Sequence, residues 1–336
     1  PHFGPAAGGG AAVTDGYGRV IDYLRISVTD RCSLRCCYCM PSDGVDWLKH
    51  EDLLTYEEIL TLCSAFCHLG FRRFRLTGGE PLVRRGLSHL VAGIHALPGV
   101  ETVSLTTNGV DLAQQLPDLR KAGLTAVNLS LDTLDRAQYA SITRRDLLPQ
   151  ALAGLQAALH TPGLTVKLNC VPMGENDDQL VPLAALAKDQ PLSVRFIELM
   201  PIGLGGSLPR RTEEEVRARL EGAFGPLLPC PPPAGAGPGH YCAPAGFKGK
   251  IGFISAVSHQ FCQSCNRVRL TATGFLKTCL QYDTGVDLRA LLRGGANQAR
   301  LEAAIADALA HKPLQHHFGT ASRPNDESHN MHQIGG

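Results

Sequence analysis

Short apolar or β-branched segments alternate with helical patterns through the first 200 residues of this 336-residue chain, and this alternation constrains the fold most. The predicted strands are YLRISVT (23–29), RFRLT (73–77), TVSLTT (102–107), AVNLSL (126–131), TVKLNCV (165–171) and SVRFIEL (193–199). Helical patterns occupy 55–70, 86–97, 111–123, 147–160 and 179–189. Such alternation favours parallel strands joined by right-handed crossovers, in either a doubly wound sheet or a complete or partial barrel.

The polar side chains of the strands distinguish these two architectures. Nearly every strand carries a charged or hydrogen-bonding residue within it or just after it: Arg25, Arg75, Thr106, Ser130, Lys167 and Arg195. Groups near the carboxyl ends of barrel strands converge on one cavity, whereas an open sheet concentrates its ligand contacts at one switch point. Because eight strands are not visible, we predict an open, partial barrel.

A first group of cysteines follows the first strand, in DRCSLRCCYCMP (30–41). Cys32, Cys36 and Cys39 form C-x3-C-x2-C, with Cys37 between two of them. Three thiolates on one loop suit a cuboidal iron–sulfur cluster and leave one iron without a protein ligand. Structural zinc usually has four closed ligands, and a fourth is not evident nearby. We therefore predict a cluster with an open iron, and a Cys37 side chain that points away.

A second group of cysteines lies in FCQSCNRVRLTATGFLKTCL (261–280) and has the spacing C-x2-C-x13-C. Its members are Cys262, Cys265 and Cys279. As a zinc ribbon the group lacks one ligand, which would have to come from His240, Cys242 or His259. As a second cluster it again leaves an open iron.

Charge is nearly balanced, with a formal net charge of +1 and 19% charged residues, so nothing suggests a nucleic-acid partner. Any anionic ligand must then be held by local arginines. Arg267 and Arg269 are two residues apart on a predicted strand, so their side chains share one face. They could form a paired anion clamp, or they could belong to a solvated strand edge. No apolar run approaches membrane-spanning length, and we predict a soluble, intracellular protein.

The composition changes along the chain and predicts five regions. We expect a flexible leader (1–17), the barrel (18–225), a Pro/Gly-rich linker (226–246), a C-terminal region with the second cysteine group (247–318) and a tail that lacks apolar periodicity (319–336). The predicted fold class is α/β, a partial (β/α)6 barrel with a C-terminal α+β extension.

The motif CSLRCCYC followed by GGEP (78–81) resembles the radical S-adenosylmethionine (radical SAM) superfamily. This resemblance implies a partial (β/α)6 barrel in which the open iron of a [4Fe–4S] cluster chelates SAM. It also implies that an electron from the cluster splits off a 5′-deoxyadenosyl radical. The tyrosine before the last cysteine would contact the adenine, and the GGEP backbone would approach the methionine amino group.

A wider set of motifs resembles the radical SAM family of GTP 3′,8-cyclases, which act in molybdenum cofactor biosynthesis. The motifs are LRIS, LTGGEPL, TTNG, NLSLDTL, VKLNCV, VRFIE, FCxxCNRVRL and the terminal GG. The resemblance implies conversion of GTP to (8S)-3′,8-cyclo-7,8-dihydroguanosine 5′-triphosphate with two [4Fe–4S] clusters, the second of which binds guanine. The loop IGLGGSLPRR (202–211) is shorter than in many relatives and lacks their Trp.

The same resemblance implies roles for individual residues. It assigns SAM binding to Tyr38, Gly79, Ser130 and Met200. It assigns GTP binding to Arg25, Arg75, Thr106, Lys167, Arg267, Val268 and Arg269. Arg267 and Arg269 are also expected to act in catalysis, together with Gly335 and Gly336, whose Gly-Gly tail would reach into the active site. Arg73 and Arg195 are further candidate cations, although Arg195 could instead pair with Glu198.

The resemblance also implies partners: a flavodoxin- or ferredoxin-type reductant, a second copy in a homodimer, and cyclic pyranopterin monophosphate synthase as consumer of the product. It implies a bacterial cytoplasmic location, or the mitochondrial matrix in a eukaryote.

Two alternative functions stay open on the sequence. One is another radical SAM enzyme with an auxiliary cluster, such as a peptide maturase, and the other is a zinc-stabilised binding module.

Overall fold

The computed structural model describes residues 12–42, 45–233, 237–318 and 325–335. Its alternating region contains strands β1 (Tyr23–Ser27), β2 (Arg73–Thr77), β3 (Thr102–Thr107), β4 (Ala126–Ser130), β5 (Thr165–Cys170) and β6 (Ser193–Ile197). Each strand pairs in parallel with the next. The six predicted strands are confirmed, although β1, β4, β5 and β6 end one or two residues earlier than predicted.

Helices connect these strands. They are α1 (Tyr56–His68), α2 (Leu87–His95), α3 (Leu112–Lys121), α4 (Arg136–Thr143), α5 (Leu148–Leu159) and α6 (Leu180–Asp189). The predicted capping box at α1 is confirmed, because Thr55 accepts from the Glu58 N–H and Glu58 accepts from the Thr55 N–H. We did not predict α4, a short helix whose first turn is capped by Asp135.

The C-terminal segment extends the same sheet at both edges. It contains α7 (Glu213–Phe224), β7 (Leu228–Cys230), β8 (His240–Ala243), β9 (Lys250–Ile254), β10 (Arg267–Leu270), β11 (Phe275–Lys277), β12 (Gly285–Asp287), α8 (Leu288–Arg293), α9 (Gln298–Ala310) and α10 (Met331–Ile334). The strand order is β12-β11-β10-β1-β2-β3-β4-β5-β6-β9-β8-β7. Strands β9 and β10 run parallel to β6 and β1, whereas the outer strands are antiparallel. The structure thus confirms a partial barrel with a C-terminal α+β extension.

Alternation along the strands separates an apolar face from a polar one. Leu24 and Ile26 of β1 and Phe74 and Leu76 of β2 are fully buried in the hydrophobic core. Because successive side chains of a strand point to opposite faces, Arg25 between the first pair points the other way. The helices therefore cover the apolar face, and the polar residues collect on the inner face. Among the described helices, none is long and apolar enough to cross a membrane.

Candidate active site

The inner face of the sheet lines a cavity of about 320 Å³. Both cysteine groups line it, with Cys32, Cys36 and Cys39 from one end of the sequence and Cys262, Cys265 and Cys279 from the other. They meet because β10 pairs directly with β1, which leads into the first cysteine loop. Cys37 does not line the cavity.

The first cysteine group is a set of buried thiols. Burial raises the pKa of Cys32 to about 11 and that of Cys39 to about 12, and it also raises the pKa of Cys36. The Cys32 sulfur accepts from the Leu34 N–H at 3.4 Å and from the Asn108 side-chain nitrogen at 3.8 Å. Such thiols become thiolates only when a cation compensates their charge, as bound metal does.

The number of cysteines on this loop suits a cluster better than a single zinc ion. Among the described residues, no three His, Cys, Asp or Glu side chains are close enough to hold one metal ion. Ligands of a single zinc must all lie about 2.3 Å from it, whereas each thiolate of a cluster binds a different iron. Three cysteine ligands on one loop therefore fit a [4Fe–4S] cluster with one open iron.

The GGEP loop supports the first cysteine loop. The Gly79 N–H donates to the Thr29 carbonyl at 2.8 Å, and a Cβ on Gly79 would collide with the carbonyl of Arg31. Glycine is therefore required for the close approach of the two loops. Glu80 is buried and accepts from the Thr107 hydroxyl at 2.7 Å, and burial raises its pKa to about 7.

A tyrosine–carboxylate pair lies on the same side of the cavity. The Tyr38 hydroxyl donates to Asp132 Oδ2 at 2.8 Å, and the Val171 N–H donates to Asp132 Oδ1 at 2.8 Å. Burial raises the pKa of Asp132 to about 6, although these two hydrogen bonds oppose the shift. All four residues assigned to SAM line the cavity: Tyr38, Gly79, Ser130 and Met200.

Three arginines lie side by side on adjacent strands of the sheet. Arg25 of β1 aligns with Arg269 of β10 and with Arg75 of β2, and all three line the cavity. Burial lowers the pKa of Arg25 well below its usual value, and repulsion from Arg269 and Arg75 lowers it further. Burial and repulsion from Arg267 lower the pKa of Arg269 to about 10. Like charges opposite each other destabilise a sheet, so this row favours a polyanionic ligand.

The predicted lysine is buried and lies outside the lining of the cavity. Lys167 of β5 is 1% exposed and does not line the cavity, unlike the other GTP-assigned residues Arg25, Arg75, Thr106, Arg267, Val268 and Arg269. Burial, together with the charges of Arg195 and Arg75, lowers the pKa of Lys167 to about 7. Lys167 is therefore electrostatically coupled to Arg195 and Arg75 without lining the cavity.

Two other candidate cations have defined partners. Arg195 lines the cavity but donates to Asn169 Oδ1 at 2.9 Å, so the alternative pairing with Glu198 is wrong. Glu198 instead accepts from the backbone N–H groups of residues 257 and 258. Arg73 forms an ion pair with Asp22 at 2.9 Å and does not line the cavity, so the structure does not support it as a ligand cation.

The second cysteine group lies in a cationic environment. Burial raises the pKa of Cys265, but Arg267 and Lys312 outweigh it, and the resulting pKa is about 7. Lys312 is 3% exposed and donates to the backbone carbonyls of Arg267, at 3.1 Å, and Thr278. Nearby cations stabilise thiolates, which is what a cluster ligand requires.

The candidate fourth zinc ligands lie elsewhere. His240 Nε2 is 2.5 Å from Glu213 Oε1, and His259 Nδ1 is 3.9 Å from Glu213 Oε2. The Cys242 thiol donates to the Ile251 carbonyl at 3.7 Å. None of the three lines the cavity with the second cysteine group, so a closed zinc ribbon does not form from these residues.

The last described residues of the tail enter the site. Met331–Ile334 form α10, and Ile334 is buried against Ile202 and Phe318. Arg269 Nη1 donates to the Gly335 carbonyl at 2.5 Å. Gly335 has a φ of +76°, and a Cβ there would lie 3.0 Å from Ser27 Cβ, so glycine suits this position. The absence of apolar periodicity gave no sign that part of the tail is helical and buried. Gly336 lies outside the described residues.

Two family profiles match the chain, the radical SAM superfamily over residues 26–187 and Molybdenum Cofactor Synthesis C over residues 192–318. The chain is 46% identical over 326 residues to the GTP 3′,8-cyclase of Pelotomaculum thermopropionicum, covering 96% of this chain and 99% of that one. It is 45% identical over 320 residues to the GTP 3′,8-cyclase of Paracoccus denitrificans, covering 93% and 92%. The chain belongs to the GTP 3′,8-cyclase family.

A solved structure supports the fold of this family member. SuiB from Streptococcus suis, bound to S-adenosylmethionine, superposes with a TM-score of 0.52 over 89% of this chain and 66% of SuiB, at 15% identity. That likeness establishes the radical SAM fold alone. Family membership establishes a radical SAM enzyme that uses SAM and [4Fe–4S] clusters, and it excludes the zinc-stabilised module and the peptide maturase.

Several residues of the family site escaped our sequence reasoning. Asn108, Glu80 and Asp132 support the first cysteine loop and its tyrosine, and they lie within TTNG, GGEP and NLSLDTL. Those motifs carried the resemblance, so they could have revealed these roles. Lys312 and His332 had no comparable signal, because each lies in a segment without a motif or an apolar period.

Proposed function

We propose that the chain converts GTP to (8S)-3′,8-cyclo-7,8-dihydroguanosine 5′-triphosphate in one cavity that holds SAM and GTP together. The observation that carries this proposal is that the arginine row and both cysteine groups line one cavity. Its cations suit a triphosphate, because arginine binds phosphate oxygens through charge-assisted hydrogen bonds.

In this proposal the two parts of the cavity have different tasks. Cys32, Cys36 and Cys39 hold the first cluster, and Tyr38, Gly79, Ser130 and Met200 contact SAM. When bound, this cluster and SAM supply the 5′-deoxyadenosyl radical. Asp132 fixes the direction of the Tyr38 hydroxyl through their 2.8 Å hydrogen bond. The tyrosine ring is thereby held in one orientation against the adenine.

The other part of the cavity binds GTP. Cys262, Cys265 and Cys279 hold the second cluster, which takes the guanine. Arg25, Arg75, Arg267 and Arg269 bind the triphosphate, with Thr106 and Val268 lining the same space and Lys167 adding positive charge beneath it. Arginine binds phosphate oxygens bidentately, so the row orients the nucleotide as well as attracting it.

The tail closes the cavity over the two substrates. The Arg269–Gly335 hydrogen bond and the burial of Ile334 against Ile202 hold the chain terminus at the site. Closure excludes water and limits side reactions of a radical. Gly336 lies outside the described residues and keeps its proposed catalytic role together with Gly335.

The wider context is also part of the proposal. We infer a homodimer in the bacterial cytoplasm, reduced by a flavodoxin- or ferredoxin-type protein, whose product passes to cyclic pyranopterin monophosphate synthase. The bacterial sources of the relatives support the location. The region bounds 18–225, 226–246, 247–318 and 319–336 stay predictions, and the linker range includes β7 and β8.

The decisive experiment is product identification. Anaerobically reconstituted protein is incubated with SAM, dithionite and GTP, and the nucleotide product is identified by mass spectrometry and NMR. Arg267→Ala and Arg269→Ala should each weaken GTP binding about ten- to a hundredfold while sparing SAM cleavage without GTP. Arg72→Ala is a matched control, because Arg72 pairs with Glu101 away from the cavity. Unchanged GTP affinity in both test variants, or the absence of a cyclised nucleotide, would contradict the proposal.

A further inference from the structure

The C-terminal tail also contacts the first cysteine loop. His332 of α10 is 2% exposed, and its Nδ1 lies 3.1 Å from the backbone carbonyl oxygen of Cys39. A carbonyl only accepts, so Nδ1 carries the proton and donates it. The imidazole thus makes a directional contact with the backbone of a cluster-binding residue.

Two further side chains connect His332 to the rest of that loop. The His332 ring meets the Trp47 ring edge to face, with 6.4 Å between centroids and 74° between planes. The Arg35 guanidinium lies over the Trp47 ring at 4.8 Å and donates to the Cys32 carbonyl at 2.7 Å. We call Arg35, Trp47 and His332 the clasp. It joins the tail to the backbone of the first and the last cysteine of the loop.

The other end of the same short helix contacts the arginine row. Gly335, three residues after His332, accepts from Arg269 at 2.5 Å. A helix rises about 1.5 Å per residue, so only a few ångströms of backbone separate the two contacts. The tail therefore bridges the first cysteine loop and Arg269, a cation between Cys265 and Cys279 of the second cysteine group. A displacement at one end must be transmitted to the other.

We propose that His332 is a positioning residue: its hydrogen bond to the Cys39 carbonyl holds the tail in register with the first cysteine loop and thereby fixes where Gly335 meets Arg269. The inference rests on the proposed function for its catalytic consequence. Packing alone does not require a histidine here, because an apolar ring could fill the same space against Trp47. A buried polar donor is costly unless it is bonded, so the hydrogen bond is the specific contribution of the imidazole.

The test compares three variants of the full chain with both clusters loaded. His332→Phe keeps a ring beside Trp47 and removes the donor, whereas His332→Asn keeps an N–H donor close to the position of Nδ1. His329→Ala is the control, because His329 is exposed and contacts Glu327 instead of the loop. Two quantities are measured: hydrogen exchange of the backbone amides of residues 331–335, and the ratio of 5′-deoxyadenosine formed to cyclised nucleotide formed.

The expected outcome is faster exchange of the tail amides in His332→Phe, by about tenfold, because a buried hydrogen bond no longer opposes local opening. The ratio of 5′-deoxyadenosine to product should rise severalfold in that variant, with iron content and cleavage of SAM retained. His332→Asn should restore both values towards those of the wild type, and His329→Ala should leave both unchanged.

Two results would overturn the inference. One is wild-type exchange and a wild-type ratio in His332→Phe, and the other is a His332→Asn variant that behaves like His332→Phe. If the wild-type protein formed no cyclised nucleotide from GTP, the proposed function would fail. The exchange measurement would still decide whether His332 holds the tail.

Discussion

Lys167 makes GTP binding depend on pH in a calculable way. Burial and the charges of Arg195 and Arg75 lower its pKa from 10.5 to about 7 in the free protein. Lys167 is then about half protonated at pH 7 and about 1% protonated at pH 9. A triphosphate favours the charged form, so GTP binding is accompanied by proton uptake. The affinity for GTP should therefore fall by up to about tenfold per pH unit between pH 7 and pH 9, which is roughly a hundredfold in all. The decrease should level off above the pKa that Lys167 has in the GTP complex.

Equilibrium GTP binding to the cluster-loaded protein, without reductant, measures this slope at pH 7, 8 and 9. Lys167→Arg keeps the charge at every pH, so it should bind GTP with a flatter profile and exceed the wild type at pH 9. Lys167→Met carries no charge, so it should bind weakly with an equally flat profile. Other titrating groups affect all three proteins alike. A slope in Lys167→Met equal to that of the wild type would refute the role of Lys167.

The same pKa shift predicts an opposite trend in stability. An unfolded lysine binds more protons than native Lys167 between about pH 7 and pH 10.5, so this group makes the free energy of unfolding increase with pH in that window. The increase should be absent from Lys167→Met. Denaturant unfolding of the GTP-free protein at several pH values measures this difference, and a decrease in the wild-type contribution with pH would contradict the assigned pKa.

Three further predictions concern the clusters and SAM. Replacing all three residues of the first cysteine group with Ala (Cys32, Cys36 and Cys39) should abolish SAM cleavage and remove about four of eight iron atoms per chain. If SAM cleavage survived, the SAM-binding cluster would have to lie elsewhere. Lys312→Met removes a buried cation beside Cys265, so the second cluster should have a lower reduction potential in a redox titration. A shift in the potential of the first cluster as well would disprove this local effect. Asp132→Asn removes the charged acceptor of the Tyr38 hydroxyl, so SAM binding measured by equilibrium dialysis should weaken by about three- to tenfold. Equal SAM affinities of the variant and the wild type would contradict this role.

Local patterns made the alternating region and both cysteine groups predictable. The strand predictions succeeded because each strand combines β-branched residues with a defined alternation, and the Thr55 capping box marked the start of α1. The early ends of β1 and β6 were not visible in the sequence, because apolar residues, Val28 and Leu199, continue past the last paired residues. Helix α4 escaped prediction because its eight residues bury only a short apolar stripe.

Contacts between distant parts of the chain determine features of the site that the sequence did not reveal. The tail has no apolar period of its own, and Ile334 is buried only because Ile202 and Phe318 come together elsewhere in the fold. Arg73 and Arg75 show the same limit within a single strand. Both belong to β2, yet Arg73 pairs with Asp22 outside the cavity whereas Arg75 joins the arginine row.

The pairing of β1 with β10 determines whether the arginine row exists. These strands are far apart in sequence, and their register aligns Tyr23 with Arg267 and Arg25 with Arg269. Because side chains alternate faces along a strand, a shift of one residue would turn both C-terminal arginines away from the cavity. It would also move the nearby Cys265 relative to the first cysteine loop. Val268 and Leu270 belong to the hydrophobic core, so they hold this register, because a shift of one residue would take their side chains out of that core. The apolar positions of β10 therefore contribute to substrate binding by fixing the direction in which its arginines point.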